Sequence, residues 1–127
     1  MLKRLIMCGV IASTSAACGN PSATTVAQDS GQAAADVAAA GYSVCVDKAT
    51  AAVDLDAGPA PQLAGLAVKA CQDKRAEVVA KVAAAQVASG KDAATAAALA
   101  EKAVRVADSE LRDRANTVIV RAKLKAS

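Results

Sequence analysis

Apolar residues recur every three or four positions along most of the chain, and charged residues fall between them; no window alternates with the period of two that marks a strand. The pattern predicts an all-α fold. Punctuation divides it into three helices. The first is expected over residues 32–56, with Asp29 or Ser30 placed to cap its start. Ala57-Gly58-Pro59-Ala60-Pro61 must turn, because two prolines and a glycine cannot continue a helix. Pro61 is suited to open the second helix, where its missing N–H costs nothing, and that helix is expected to run to about Ser89. Gly90 is placed to end it and Asp92 to cap a long, alanine-rich third helix reaching Lys125.

The faces are read from spacing. In the second helix Ala64, Ala67, Cys71, Val78, Val82 and Ala85 form an apolar seam into which only Arg75 intrudes. In the third, Ala93, Ala97, Ala100, Val104, Ala107, Leu111, Ala115, Val118 and Ala122 do the same. Four acid-before-base pairs, Glu77–Lys81, Glu101–Arg105, Asp108–Arg112 and Glu110–Arg114, are spaced to meet on solvated helix faces. Such pairs stabilise a helix by only about 0.2–0.5 kcal/mol each, so they mark a surface and not a site.

Composition sharpens the helical reading and removes several functions. The chain has 127 residues, enough for one small domain, and more than a quarter of them are alanine, the best helix former. It has one tyrosine and no phenylalanine, tryptophan or histidine. Without histidine there is no Ser-His-Asp or Cys-His pair and no ordinary zinc site. No glycine-rich phosphate loop is present, and Asp47, Asp54 and Asp56 lack the spacing of a calcium loop. No catalytic residue, metal ligand or cofactor is assigned, and the chain is not expected to be an enzyme. A net charge of +3 with no aromatic platform gives no reason to expect nucleic acid as a partner.

The first seventeen residues read as an export signal: Lys3 and Arg4, then an apolar run from Leu5 to Ala12, then the small residues Ser13 to Ala17. The apolar run is far short of the roughly 20 residues that cross a bilayer. Cys18 follows in Ser15-Ala16-Ala17-Cys18-Gly19-Asn20, which resembles the lipobox of bacterial lipoproteins, although Ser15 stands where leucine is commonest. The resemblance implies cleavage before Cys18, a lipid on its sulfur and anchoring in the membrane through that lipid. Gly19, in place of aspartate, implies an outer-membrane destination facing the periplasm. Ser15 and Ala17 also satisfy the small-x-small rule for conventional cleavage, which would release a soluble periplasmic or secreted protein. Residues 18–31, rich in Ser, Thr and Gly and without apolar period, are expected to be a flexible tether between the anchor and a helical domain over 32–127.

With the signal removed, Cys18, Cys45 and Cys71 remain. Cys45 and Cys71 are equidistant from Gly58, so in an antiparallel hairpin of the first two helices they come level, each about 20 Å from the bend. Ala38, Gly41, Ala49 and Ala52 near one, and Ala64 and Ala67 near the other, are small enough for the close approach that a disulfide needs. An export route supplies the oxidising compartment. If Cys45 pairs with Cys71 and Cys18 carries lipid, no thiol is left over. The bond matters because Leu, Ile, Val and Phe make up only about 19% of residues 18–127. Closing a span of 26 residues contributes roughly 3.5 kcal/mol in the chain-entropy model.

Three further features invite a role. Arg112, Arg114, Arg121, Lys123 and Lys125 make the end of the third helix basic, which suits either anionic headgroups or simply the helix C-terminus. Val118-Ile119-Val120 is core or a contact for a second copy, and Tyr42 fills the hairpin core or covers the disulfide. The alanine-rich third helix behind a lipid-bearing N-terminus is similar to the alanine-zipper outer-membrane lipoproteins, which trimerise. Val68-Lys69-Ala70-Cys71-Gln72-Asp73-Lys74 is similar to a stretch of the periplasmic acid-stress chaperones. Together these readings make a non-enzymatic cell-envelope lipoprotein with a structural or protein-interaction role, self-associating or bound to an envelope partner, with a soluble periplasmic binding or chaperone-like module as the alternative.

Overall fold

The computed structural model describes residues 23–127, with side chains from residue 29 onward; the signal segment and Cys18 lie outside the described residues. Four helices follow one another: α1 (Ala23–Ala51), α2 (Ala60–Lys69), α3 (Gln72–Ala88) and α4 (Ala93–Ala126). The described residues contain no strand. α1 packs chiefly against α3, and α4 lies across both α2 and α3. The all-α fold and the linked hairpin stand, with two corrections at helix boundaries.

The first correction is at the start. α1 begins at Ala23, inside the segment 18–31 that reads as a tether, and it stops at Ala51 instead of Asp56. Between Ala23 and Ser30 no proline or glycine opposes the helix, and Gly31 is tolerated within it at about 1 kcal/mol relative to alanine. The early stop has a local cause. Asp54 adopts an extended backbone, and its carboxylate accepts from the Asp56 N–H at 3.0 Å, capping a single 3-10 turn over Leu55–Ala57. Aspartate offers the chain an alternative to the helix ladder, and the helix gives way to it. Pro59 then caps α2, with Pro61 in its first turn, as its fixed φ favours.

The second correction divides the expected second helix. Cys71 leaves helical geometry (φ −107°, ψ 26°), separating α2 from α3 although no proline or glycine is nearby. The N–H of Cys71 reaches back only three residues to Val68 at 3.1 Å, tightening the last turn of α2. Both segments pack on α4, and the break redirects the chain so that α3, far more than α2, also runs along α1. The α3–α4 connection follows the sequence reading. Gly90 takes φ +92°, the N–H groups of Gly90 and Lys91 bond the carbonyls of Val87 and Gln86, and Asp92 accepts from the Thr95 N–H at 3.0 Å. This is a glycine-terminated helix followed directly by a capped one.

The core is narrow. Tyr42, Val46, Val104 and Ile119 are its largest fully buried side chains; alanines fill much of the remainder. Along α4 the buried stripe is Ala96, Ala100, Val104, Leu111, Ala115 and Ile119. This stripe coincides with the apolar spacing in its middle and departs from it by one residue at both ends, where Ala96 is buried in place of Ala97 and Ile119 in place of Val118. Ile119 is 1% exposed and Val118 49%, so one side chain of the valine-isoleucine-valine run anchors the helix and its neighbour faces outward.

Candidate functional site

The cystine fixes the hairpin. Cys45 and Cys71 are bonded, with their Cα atoms 6.0 Å apart. The register it sets extends along α1 and α3. Gly31 and Ala85 are also equidistant from residue 58, and a methyl group placed on Gly31 would lie 3.4 Å from the Ala85 Cα. The two meeting points are fourteen residues apart on each helix, about 21 Å at 1.5 Å per residue. Of the small residues expected to admit the bond, Ala38, Ala64 and Ala67 are buried. Gly41 is not needed for it: a methyl there would meet nothing within 4 Å. Gly41 instead opens onto an apolar groove of about 470 Å³ beside the cystine, with Val44, Lys48 and Lys74 along it.

A polar network crosses the helices one turn from the cystine. The Tyr42 hydroxyl donates to Asp108 Oδ1 at 2.6 Å, and Arg75 Nε donates to Asp108 Oδ2 at 2.8 Å. The other end of the Arg75 guanidinium donates to Glu101 at 3.1 Å. Arg75, the one intruder in the second helix's seam, thus joins α3 to two carboxylates of α4, and Asp108 joins both to α1. Burial, reinforced by the hydrogen bond to the Asp108 carboxylate, raises the Tyr42 pKa well above its ordinary value. The two carboxylates likewise hold Arg75 protonated. Tyr42 therefore serves the core and the network together, with its ring buried and its hydroxyl engaged.

The network redirects the surface charges. None of the four expected pairs four residues apart forms an ion pair. Glu101 and Asp108 turn inward to Arg75, Glu77 pairs with Lys74 at 2.9 Å, and Arg114 reaches α1, where it meets Asp47 at 2.7 Å and Ser43 at 2.8 Å. For Glu101, Asp108 and Arg114 the tertiary partner wins because it fixes two helices at once, whereas an exposed pair within one helix gains only a few tenths of a kcal/mol; Glu77–Lys74 is such a pair, within α3. The basic end of α4 is consequently divided. Arg114 faces α1, the Lys123 ammonium donates to the Leu55 carbonyl at the bend, and Arg112 faces a groove between α2 and α4.

Among the described residues, no group of three acidic, cysteine or histidine side chains is arranged to hold a metal ion, and no helix is long and apolar enough to cross a membrane. Asp47 and Asp54 have the structural partners already given, while Asp56 is exposed at the bend. The polar network is what sequence reasoning missed. Its one signal was Arg75, a charge in an apolar seam. No protein-family model matches the chain, and no curated protein or solved structure matches it either.

Proposed function

We propose that this is an exported cell-envelope protein, anchored through a lipid on Cys18 and acting by structural or protein contact instead of catalysis. The observation that carries the reading is the cystine. A bond between Cys45 and Cys71 belongs to an oxidising compartment, in agreement with the export signal, and it leaves Cys18 as the odd cysteine once the signal is removed. Cys18 stands where the lipobox-like sequence places the lipid. The bond also takes Cys45 and Cys71 out of nucleophilic chemistry, since the thiolate is the reactive form.

The interaction role is narrowed by what the fold uses for itself. The alanine seam of α4, the counterpart of a zipper interface, is buried within the chain at Ala96, Ala100 and Ala115. Contacts with an envelope partner or a second copy therefore run through outer faces. Ser15 and Ala17 support the second reading, conventional cleavage to a soluble periplasmic module, and one experiment separates the two. The anchored form incorporates radiolabelled palmitate, accumulates as precursor under globomycin and loses both behaviours in Cys18→Ala. A mature chain without label, released in soluble form with Cys18 as a free thiol, would overturn the anchor.

A further inference from the structure

The inward turn of Glu101 and Asp108 has a consequence on the outer surface. Each acid stands four residues before an arginine of α4, Arg105 and Arg112, and each is taken by Arg75 instead. Both Asp108 oxygens are occupied, one by Tyr42 and one by Arg75. Arg105 is left with only a 3.4 Å contact to a backbone carbonyl, and Arg112 has no ion pair. Lys69, at the end of α2, has none either. Arg112 and Lys69 line a groove of about 300 Å³ with Gly65, Gln72, Arg75 and Asp108, and Arg105 shares the adjoining depression with Arg112 and Asp108; the Asp108 carboxylate offsets Arg75, to which it is paired, and leaves the charges of Lys69, Arg105 and Arg112 in excess.

Gly65 is the second observation. It lies inside α2, where alanine is the more stable residue and, in this chain, the usual one. A methyl group there would meet nothing within 4 Å, and its φ is not one that needs glycine. Neither packing nor backbone geometry asks for glycine, yet the position lines a groove bordered by uncompensated cations. A bare backbone there allows a ligand to approach closely. Guanidinium and ammonium groups around such a floor match an oxyanion carrying several acceptor oxygens.

We propose that this groove binds a phosphate group, held by Lys69 and Arg112 over Gly65 with Arg105 beside them. The site is independent of the anchor, so it is tested on the full chain carrying Cys18→Ser with the Cys45–Cys71 bond intact. Inorganic phosphate is titrated against chloride at constant ionic strength while backbone amide resonances are followed. Saturable shifts at Gly65, Lys69 and Arg112 are expected with phosphate and not with chloride. The double variant Lys69→Gln/Arg112→Gln should bind about tenfold or more weakly, as expected for losing charge-assisted hydrogen bonds. Gly65→Leu should abolish the shifts while leaving the unfolding midpoint unchanged or raised, which separates a blocked site from a damaged fold.

Sedimentation with phosphatidylglycerol vesicles, against phosphatidylcholine, identifies the source of the phosphate. Phosphatidylglycerol binding that disappears in the double variant assigns the site to a lipid headgroup. Phosphate shifts without such binding assign it to a soluble phosphate. Absence of saturable phosphate shifts together with indifference to phosphatidylglycerol would overturn the proposal, as would binding that persists in both variants.

Discussion

The two ends of the bundle are built differently. Near the bend, Tyr42, Val46, Leu63 and Ile119 are buried, the cystine joins α1 to the start of α3, and Arg114 and Lys123 tie α4 to α1 and to the bend. At the open end the buried residues are alanines: Ala35, Ala85, Ala96 and Ala100. An alanine removes little apolar surface from water, and burial stabilises by only about 25 cal/mol per Å². The open end therefore depends on helix propensity and on the register imposed from the bend. One cross-link and a few larger side chains hold a bundle whose other half could not hold itself.

The sharpest way to break this contrast is to remove the cross-link. Cys45→Ser/Cys71→Ser, or reduction of the native bond, is expected to cost about 3.5 kcal/mol, read as a lowered midpoint in thermal or denaturant unfolding. Next in size is the bend-end core. Ile119→Ala should cost about 3 kcal/mol, whereas Val118→Ala beside it should change stability by less than about 0.5 kcal/mol. Equal effects at the two positions would mean that the buried face of α4 is misplaced by a residue.

Tyr42→Phe removes the hydroxyl from the Asp108 carboxylate and should cost about 1.5–2 kcal/mol. The same contact dictates the alkaline response. The folded chain holds the Tyr42 proton above the ordinary tyrosine value of about 10, at which the unfolded chain releases it. Its contribution is fully present below pH 10 and is lost as pH rises beyond it. Alkaline unfolding should accompany tyrosinate absorbance in the native chain, and Tyr42→Phe should flatten that pH dependence. A smaller effect, of opposite sign, is expected at Gly41, where a methyl has open space inside α1; Gly41→Ala should stabilise by about 0.5–1 kcal/mol in the same unfolding assay.

Much of this architecture is legible in the sequence. Gly58 with Pro59 and Pro61, and Gly90 with Asp92, carry their conformations in their own chemistry, so both connections could be read locally. The pairing of Cys45 with Cys71 followed from counting outward from the bend. What escaped was whatever depended on a distant partner. Lys69-Ala70-Cys71-Gln72 contains nothing that opposes a helix, and the break there goes with a tertiary difference: both segments pack on α4, but α3 alone packs extensively along α1. The acids of α4 looked satisfied by arginines four residues on, and only the placement of Arg75 shows otherwise. The helix begins inside the expected tether for a simpler cause: a polar composition without apolar period does not oppose a helix when breakers are absent, as they are between Ala23 and Ser30.

Amide hydrogen exchange on the oxidised and the reduced chain tests the asymmetry most directly. The account predicts greatest protection in residues 42–50, 72–79 and 111–119 of the oxidised chain, least in 29–38 and 85–100, and a collapse of the difference when Cys45 and Cys71 are reduced. Greater protection at the alanine end, or a pattern indifferent to reduction, would contradict it.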